Sequence, residues 1–241
     1  MANPTAAMLV IGDEILSGRT RDANMHHLAG RLTEAGIDLK EVRVVSDDGP
    51  EIAAAVNALR ERFDHVFTSG GIGPTHDDIT ADNVAAAFGV GIDVREDALQ
   101  ALAANYANGI EDINEARMRM ARVPDGALLI DNAISGAPGF SLENVHVMAG
   151  VPKIFAVMLD SLLPSIAGGA PVVSETVRLD FPEGEVAGPL GEIAAAFGEV
   201  SIGSYPFSTP EGLGTNIVVR GTDGAQVAQA ATRVRTAFGV A

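Results

Sequence analysis

Short apolar runs alternate along this chain with stretches of helical period, and the runs stop at glycine or at acidic residues. Residues 6–11 are all apolar and end at Gly12; Val42, Val44 and Val45 lead to Ser46, Asp47 and Asp48; residues 65–68 lead to Ser69, Gly70 and Gly71. A run that short and continuous reads as a strand buried on both faces, which requires helices above and below it. The intervening segments supply them. Met25, Leu28, Ala29, Leu32 and Ala35 recur at helical spacing before Gly36, and Ile52, Val56 and Leu59 do so after Pro50. This β-α-β-α rhythm predicts a mostly parallel sheet in an α/β fold with helices on both faces.

The rhythm continues with helices over 78–88, around Ala98 to Tyr106, over 114–121 and over 154–163. Strands are expected at 127–130 and 145–148, separated by the turn-rich residues 135–139. Residues 167–171, Ala-Gly-Gly-Ala-Pro, read as a linker. The expected division is a first domain over 1–168 and a small α+β domain over 172–241. The second holds strands near 176–181, 200–205 and 216–220 and helices near 186–197 and 226–238. A unit of about 70 residues is marginal by itself and is expected to lean on a neighbour.

Composition narrows the function classes. With 32 acidic against 16 basic side chains the net charge is −16, which repels a polyanion and argues against DNA or RNA as partner. Cysteine is absent, so disulfides, thiolate metal sites and cysteine nucleophiles are excluded together. No apolar run approaches the roughly 20 residues that span a bilayer, and residues 6–11 lack the flanks of a signal peptide. A cytoplasmic protein with no membrane partner is expected.

Three loops carry candidate chemistry. In Ser69-Gly70-Gly71-Ile72-Gly73-Pro74-Thr75, followed by Asp77, Asp78 and Thr80, glycines directly after a strand bring backbone N–H groups towards an anion at the start of a helix. The spacing is neither the P-loop nor the dinucleotide fingerprint. The same residues also fit a tight turn in which Asp77 or Asp78 caps the helix. Gly12-Asp13-Glu14 with Asp22 and Asn24 would share that sheet edge. Its acids could face a cation, or simply complement and cap helices. Asp47 and Asp48 beside Asp77 and Asp78 could hold Mg²⁺ through carboxylate oxygen, whereas Asp48 also fits a cap for the helix that Pro50 opens. Lys153 opposes the dipole of its helix unless an anion is near.

The 68–80 run resembles the signature of the molybdopterin-binding domain family, of the MoaB/Mog type. The 12–18 run with Asp22 and Asn24 is similar to the opening motif of its competence/damage-inducible protein A branch. Asn132, residues 136–140 and Gly150-Val151-Pro152 resemble later motifs of that branch. Residues 202–206 resemble a motif of its short members and of the related domain in eukaryotic FAD synthetases. The resemblance implies a three-layer MoaB/Mog-like fold, homo-oligomerisation and a pterin- or nucleotide-phosphate site. It assigns Asp47 and Asp78 as catalytic acids that hold Mg²⁺, Mn²⁺ or Co²⁺. Ligand contacts are expected from Gly12, Asp13, Glu14, Ser69, Gly70, Gly71, Gly73, Thr75, Thr80, Asn132, Gly139, Gly150, Pro152 and Lys153. Ala133, Ala149 and Ile154 depart from the family's usual residues. The activity implied is a metal-dependent nucleotide pyrophosphatase, with adenylyl transfer to molybdopterin, or binding without turnover, as alternatives. The amidase-type domain of long members is not in the sequence, so its deamidase activity is expected to be absent.

Overall fold

A computed structural model describes residues 2–210 and 212–240, and the chain divides after Gly169 into two compact units. The first contains β1 (Thr5–Ile11), α1 (Asp13–Leu16), α2 (Asn24–Ala35), β2 (Asp38–Val45), α3 (Gly49–Arg60), β3 (His65–Ser69) and α4 (Thr80–Phe88). It continues with β4 (Ile92–Val94), α5 (Glu96–Ala103), α6 (Glu115–Met118), β5 (Arg122–Pro124), β6 (Leu128–Ile130), β7 (Gly139–Leu142), β8 (Val145–Met148) and α7 (Pro152–Leu162).

Six strands form one sheet in the order β2-β1-β3-β8-β7-β6. The first four are parallel; β7 is antiparallel to β8, and β6 to β7, so β6 again points the same way as β1. The pleat of β1 separates the two cores. Ala7, Leu9 and Ile11 pack with Ile52, Val56 and Leu59 of α3 and with Leu102 of α5. Ala6, Met8 and Val10 pack with Leu28 and Leu32 of α2 and with Phe155, Met158 and Leu159 of α7. Successive side chains of a strand face opposite sides, so an unbroken apolar run serves both layers at once.

Local signals set several helix ends. The Asp48 carboxylate accepts from the Glu51 N–H at 3.1 Å and caps α3, where Pro50 stands in the first turn. Asp22 accepts from the N–H groups of Asn24 (3.3 Å) and Met25 (2.9 Å). Gly36 and Gly89 close α2 and α4 in the left-handed conformation.

The structure departs from the sequence expectations between α4 and β8. The helix expected over 114–121 is only the four residues of α6 followed by a 3₁₀ turn over Arg119–Ala121. That turn drives Ala121 fully into the core and redirects the chain into β5, which pairs with β4 in a separate two-stranded sheet. The strand β7 follows the expected turn at 135–139, inserted between β6 and β8; three residues after Gly139 are too few to show a period.

The second unit contains β9 (Val173–Leu179), α8 (Glu183–Ala196), β10 (Ser201–Thr209), β11 (Gly212–Gly221) and α9 (Gly224–Phe238). Its antiparallel sheet runs β10-β11-β9, and α8 and α9 cover one face through Val186, Leu190, Val227 and Val234. Among the described residues no helix is long and apolar enough to cross a membrane.

Candidate functional site

Because β1, β2, β3, β8 and β6 share one direction, the loops that follow them gather at one edge of the sheet, the position where open α/β sheets bind ligands. Gly70 is wedged there. Its φ is +109°, its N–H donates to the Met148 carbonyl at 3.2 Å, and a β-carbon on it would stand 2.2 Å from the Ile11 carbonyl oxygen. Gly71 follows at φ +68°, and a β-carbon there would lie 2.1 Å from the Thr80 hydroxyl. The Thr80 N–H donates to the Gly71 carbonyl at 2.9 Å and closes the loop on the start of α4. Only glycine fits this path between β1 and α4.

One buried side chain ties the loop to its neighbours. The Asn24 side-chain amide donates to the Ser69 hydroxyl and to the Gly150 carbonyl, both at 2.7 Å. It thereby joins the end of β3 to the loop after β8. Asn24→Ala leaves both acceptors unpaired and is expected to lower the unfolding free energy by about 2–3 kcal/mol. Urea denaturation checks this; a loss below about 0.5 kcal/mol would show that the tie contributes little.

What the loop leaves open is more informative than what it closes. Among the described residues, the N–H groups of Gly71, Ile72 and Gly73 donate to no protein acceptor. These three residues line a cavity of about 510 Å³, within the range of about 300–1,000 Å³ usual for ligand pockets. Its other walls come from Glu14 and Thr20, from Asn132, Ser135 and Ala137, and from residues 149–152. Ile72, Met120, Ile154 and Met158 add apolar side chains to the lining. The cavity therefore combines unpaired backbone donors with apolar side chains in one lining.

Of the residues expected from the sequence, Glu14, Gly70, Gly71, Gly73, Asp78, Asn132, Gly150 and Pro152 line this cavity. The rest sit behind or outside it. Ser69 and Thr80 are buried under the loop, Thr75 is exposed at its tip, and Gly12 is buried beneath the Glu14 carboxylate. Asp13 is exposed. Gly139 lies within β7, where a β-carbon would stand 2.3 Å from the Val147 carbonyl oxygen, so it serves strand packing. Lys153 is exposed in the first turn of α7 and does not line the cavity. Asn132 shapes a wall instead of reaching inward. Its amide donates to the Ser135 hydroxyl (2.7 Å) and the Ala137 carbonyl (2.9 Å), and its oxygen accepts from the N–H groups of Ile134 and Ser135. Thr20, Met120, Ser135 and Met158 carried no signal in the sequence, since their roles arise only from folding.

The acids divide into two settings. Asp78 accepts from the Thr75 N–H at 2.8 Å and from its hydroxyl, both on Oδ2, so it closes the loop tip and leaves Oδ1 uncommitted. It does not cap α4, which has no side-chain cap. Asp47 accepts from the Asp13 N–H at 3.0 Å. Burial raises its pKa; that hydrogen bond opposes the shift, and the nearby Asp13, Glu14 and Asp77 carboxylates add to it. Among the described residues no three His, Asp or Glu side chains are grouped to hold a metal ion. The donor chemistry still suits a hard divalent cation: oxygen ligands only, with mutual repulsion around Asp47 that such an ion offsets.

Comparison with known proteins agrees with this architecture. Residues 7–168 match the family described as "Probable molybdopterin binding domain", and residues 171–240 match "FAD synthase, middle domain". A protein of Caenorhabditis elegans named "Probable FAD synthase" is 34% identical over 227 residues, covering 84% of this chain but only 44% of that protein. The chain thus spans less than half the length of that relative. A Pyrococcus horikoshii protein is 32% identical over 224 residues, covering 88% of this chain and 86% of its own. The crystal structure of CinA from Thermoplasma acidophilum, titled as of unknown function, superposes with a TM-score of 0.63 at 33% identity, covering 67% of this chain and 97% of that one. The chain belongs to the molybdopterin-binding domain family of the MoaB/Mog type.

Proposed function

We propose that the first unit binds a phosphate-bearing nucleotide or pterin and that the protein is a divalent-metal-dependent pyrophosphatase of FAD-like or ADP-ribose-like dinucleotides. The observation that carries the reading is the row of three adjacent amides, Gly71 to Gly73, without protein acceptors, on residues that line a cavity with apolar side chains. Those amides hold non-bridging phosphate oxygens, where their fixed dipoles meet the charge that grows in the transition state. Ile72, Met120, Ile154 and Met158 take the ring. Water attacks one phosphorus, the bridging P–O bond breaks, and AMP leaves with the second monophosphate. Mg²⁺, Mn²⁺ or Co²⁺ held by Asp47 and Asp78 would neutralise part of the pyrophosphate charge.

A second reading uses the same site for adenylyl transfer to a flavin or pterin phosphate; its support is the relatives named as FAD synthases. Purified protein incubated with FAD or ADP-ribose and each metal separates the two. AMP release that requires metal and falls about 100-fold in Asp78→Ala is expected for the pyrophosphatase. Full activity in that variant rejects the assignment of Asp78. Pyrophosphate formed from ATP only when a flavin or pterin phosphate is present supports transfer instead. Tight ligand binding with no product in either assay leaves a binding module. Self-association also belongs to this reading, and light scattering on the same sample reads it.

A further inference from the structure

Beside the main cavity lies a small recess of about 20 Å³, lined among others by Gly71, Ile72, Gly73, Asp78, Arg119 and Met120. A void of about 10–15 Å³ is enough for one water molecule, so the recess accommodates a single oxygen atom. The Arg119 Nε is fully buried and has no hydrogen-bond partner, while Nη2 donates to the Asp78 carbonyl at 3.1 Å. Among the described residues no carboxylate pairs with Arg119. The other cation on the recess, Arg122, is already bound at both ends of its fork to Asp82, at 2.9 and 2.6 Å. A buried donor without an acceptor is costly in a native protein and calls for an explanation. Here that donor belongs to a permanent cation whose residue lines the same recess as Gly71, Ile72 and Gly73, the residues with unpaired N–H groups.

We propose that Arg119 is the cationic partner of the phosphate bound at residues 71–73, and that the recess seats one of its non-bridging oxygens. The inference rests on the phosphate-binding reading above and adds a residue for which the sequence held no motif. The 3₁₀ turn over Arg119–Ala121 and the bond to the Asp78 carbonyl hold the guanidinium in place before any ligand arrives. An arginine so fixed loses little freedom on binding and adds charge to what the amides supply as dipoles. It also gives the site a reason to prefer a phosphorylated ligand to the parent nucleoside.

The test is titration calorimetry of the full chain with inorganic pyrophosphate, AMP and adenosine. In Arg119→Met, affinity for pyrophosphate and AMP is expected to fall about tenfold to a hundredfold, the range for losing one or two charge-assisted hydrogen bonds, with adenosine unchanged. Arg119→Lys keeps the charge without the fork and is expected to fall between the two. Pyrophosphate affinity within twofold of wild type in Arg119→Met, with Gly71→Ala abolishing binding, overturns the role of Arg119 alone. No binding of pyrophosphate or AMP by the wild type overturns the phosphate site and this inference with it. If Arg119→Met fails to fold, by its melting curve, Arg119→Lys decides: unchanged affinity overturns the proposal, and a loss of fivefold or more supports it.

Discussion

Gly70→Ala is expected to lower the unfolding free energy by about 3–5 kcal/mol, combining backbone strain at an unfavourable φ with a steric clash in a packed region. The clash is with backbone: the new β-carbon would meet the Ile11 carbonyl oxygen at 2.2 Å, and that oxygen belongs to the end of a central strand. No rotamer relieves it, so β1 and β3 must separate at the edge where the cavity opens. Gly89→Ala is the matched control. It too has positive φ, +67°, but nothing stands within 4 Å of its β-carbon position, so only strain of about 1 kcal/mol is expected. Urea denaturation of both variants and the wild type measures the difference. Equal losses at the two positions would show that the wedge at Gly70 relaxes easily.

Acid is expected to destabilise the protein well before its carboxylates are all protonated, because of a histidine pair away from the cavity in which His146 is buried and His65 partly buried. His65 Nε2 lies 3.3 Å from the Ala167 carbonyl, which only accepts, so that nitrogen carries the proton. His65 Nδ1 then accepts from His146 Nε2 at 3.2 Å, and His146 Nδ1 accepts from the Ser141 hydroxyl at 2.8 Å. Both rings are neutral in this chain of bonds. Burial, with a smaller contribution from His65, pushes the His146 pKa down to about 3, and burial lowers His65 as well. The unfolded chain protonates His146 near its ordinary value of 6.5, so between pH 6.5 and 3 the unfolded state binds the extra proton. Stability therefore rises with pH across this window and falls on acidification, by about 1.4 kcal/mol per pH unit from this one group. Urea unfolding of wild type and His146→Gln from pH 7 to 4 reads the effect as a difference in slope. Carboxylates common to both proteins cancel in that difference. Parallel slopes would mean that His146 does not titrate as the buried, neutral ring described.

The acid-sensitive pair also shows where sequence reading stops. His65 and His146 are 81 positions apart, and nothing in the local sequence of either marks it for the other. Asn24 is comparable: it stood in a family-like motif, but its bonds to Ser69 and Gly150 span 45 and 126 positions. Asp48 and Asp22 behave differently. Their caps reach only two or three residues along the chain and were legible without coordinates. The helix expected over 114–121 was misjudged because its residues have helical composition, while the burial of Ala121 and the entry to β5 impose a tighter turn.

From the residues alone came the order of strands and helices outside the stretch between α4 and β8, the glycines at the strand ends and the acids beside them. These follow from short-range physics: the pleat of an apolar run, the backbone freedom of glycine, the reach of a capping carboxylate. Tertiary structure alone decided which amides remain unpaired, that Asn132 is consumed by its own loop, that Lys153 stands aside, and that Met120, Met158 and Arg119 meet the glycine loop. Each of those depends on chain segments far apart in sequence closing on one sheet edge, and the free energy of such contacts exists only once the sheet has formed.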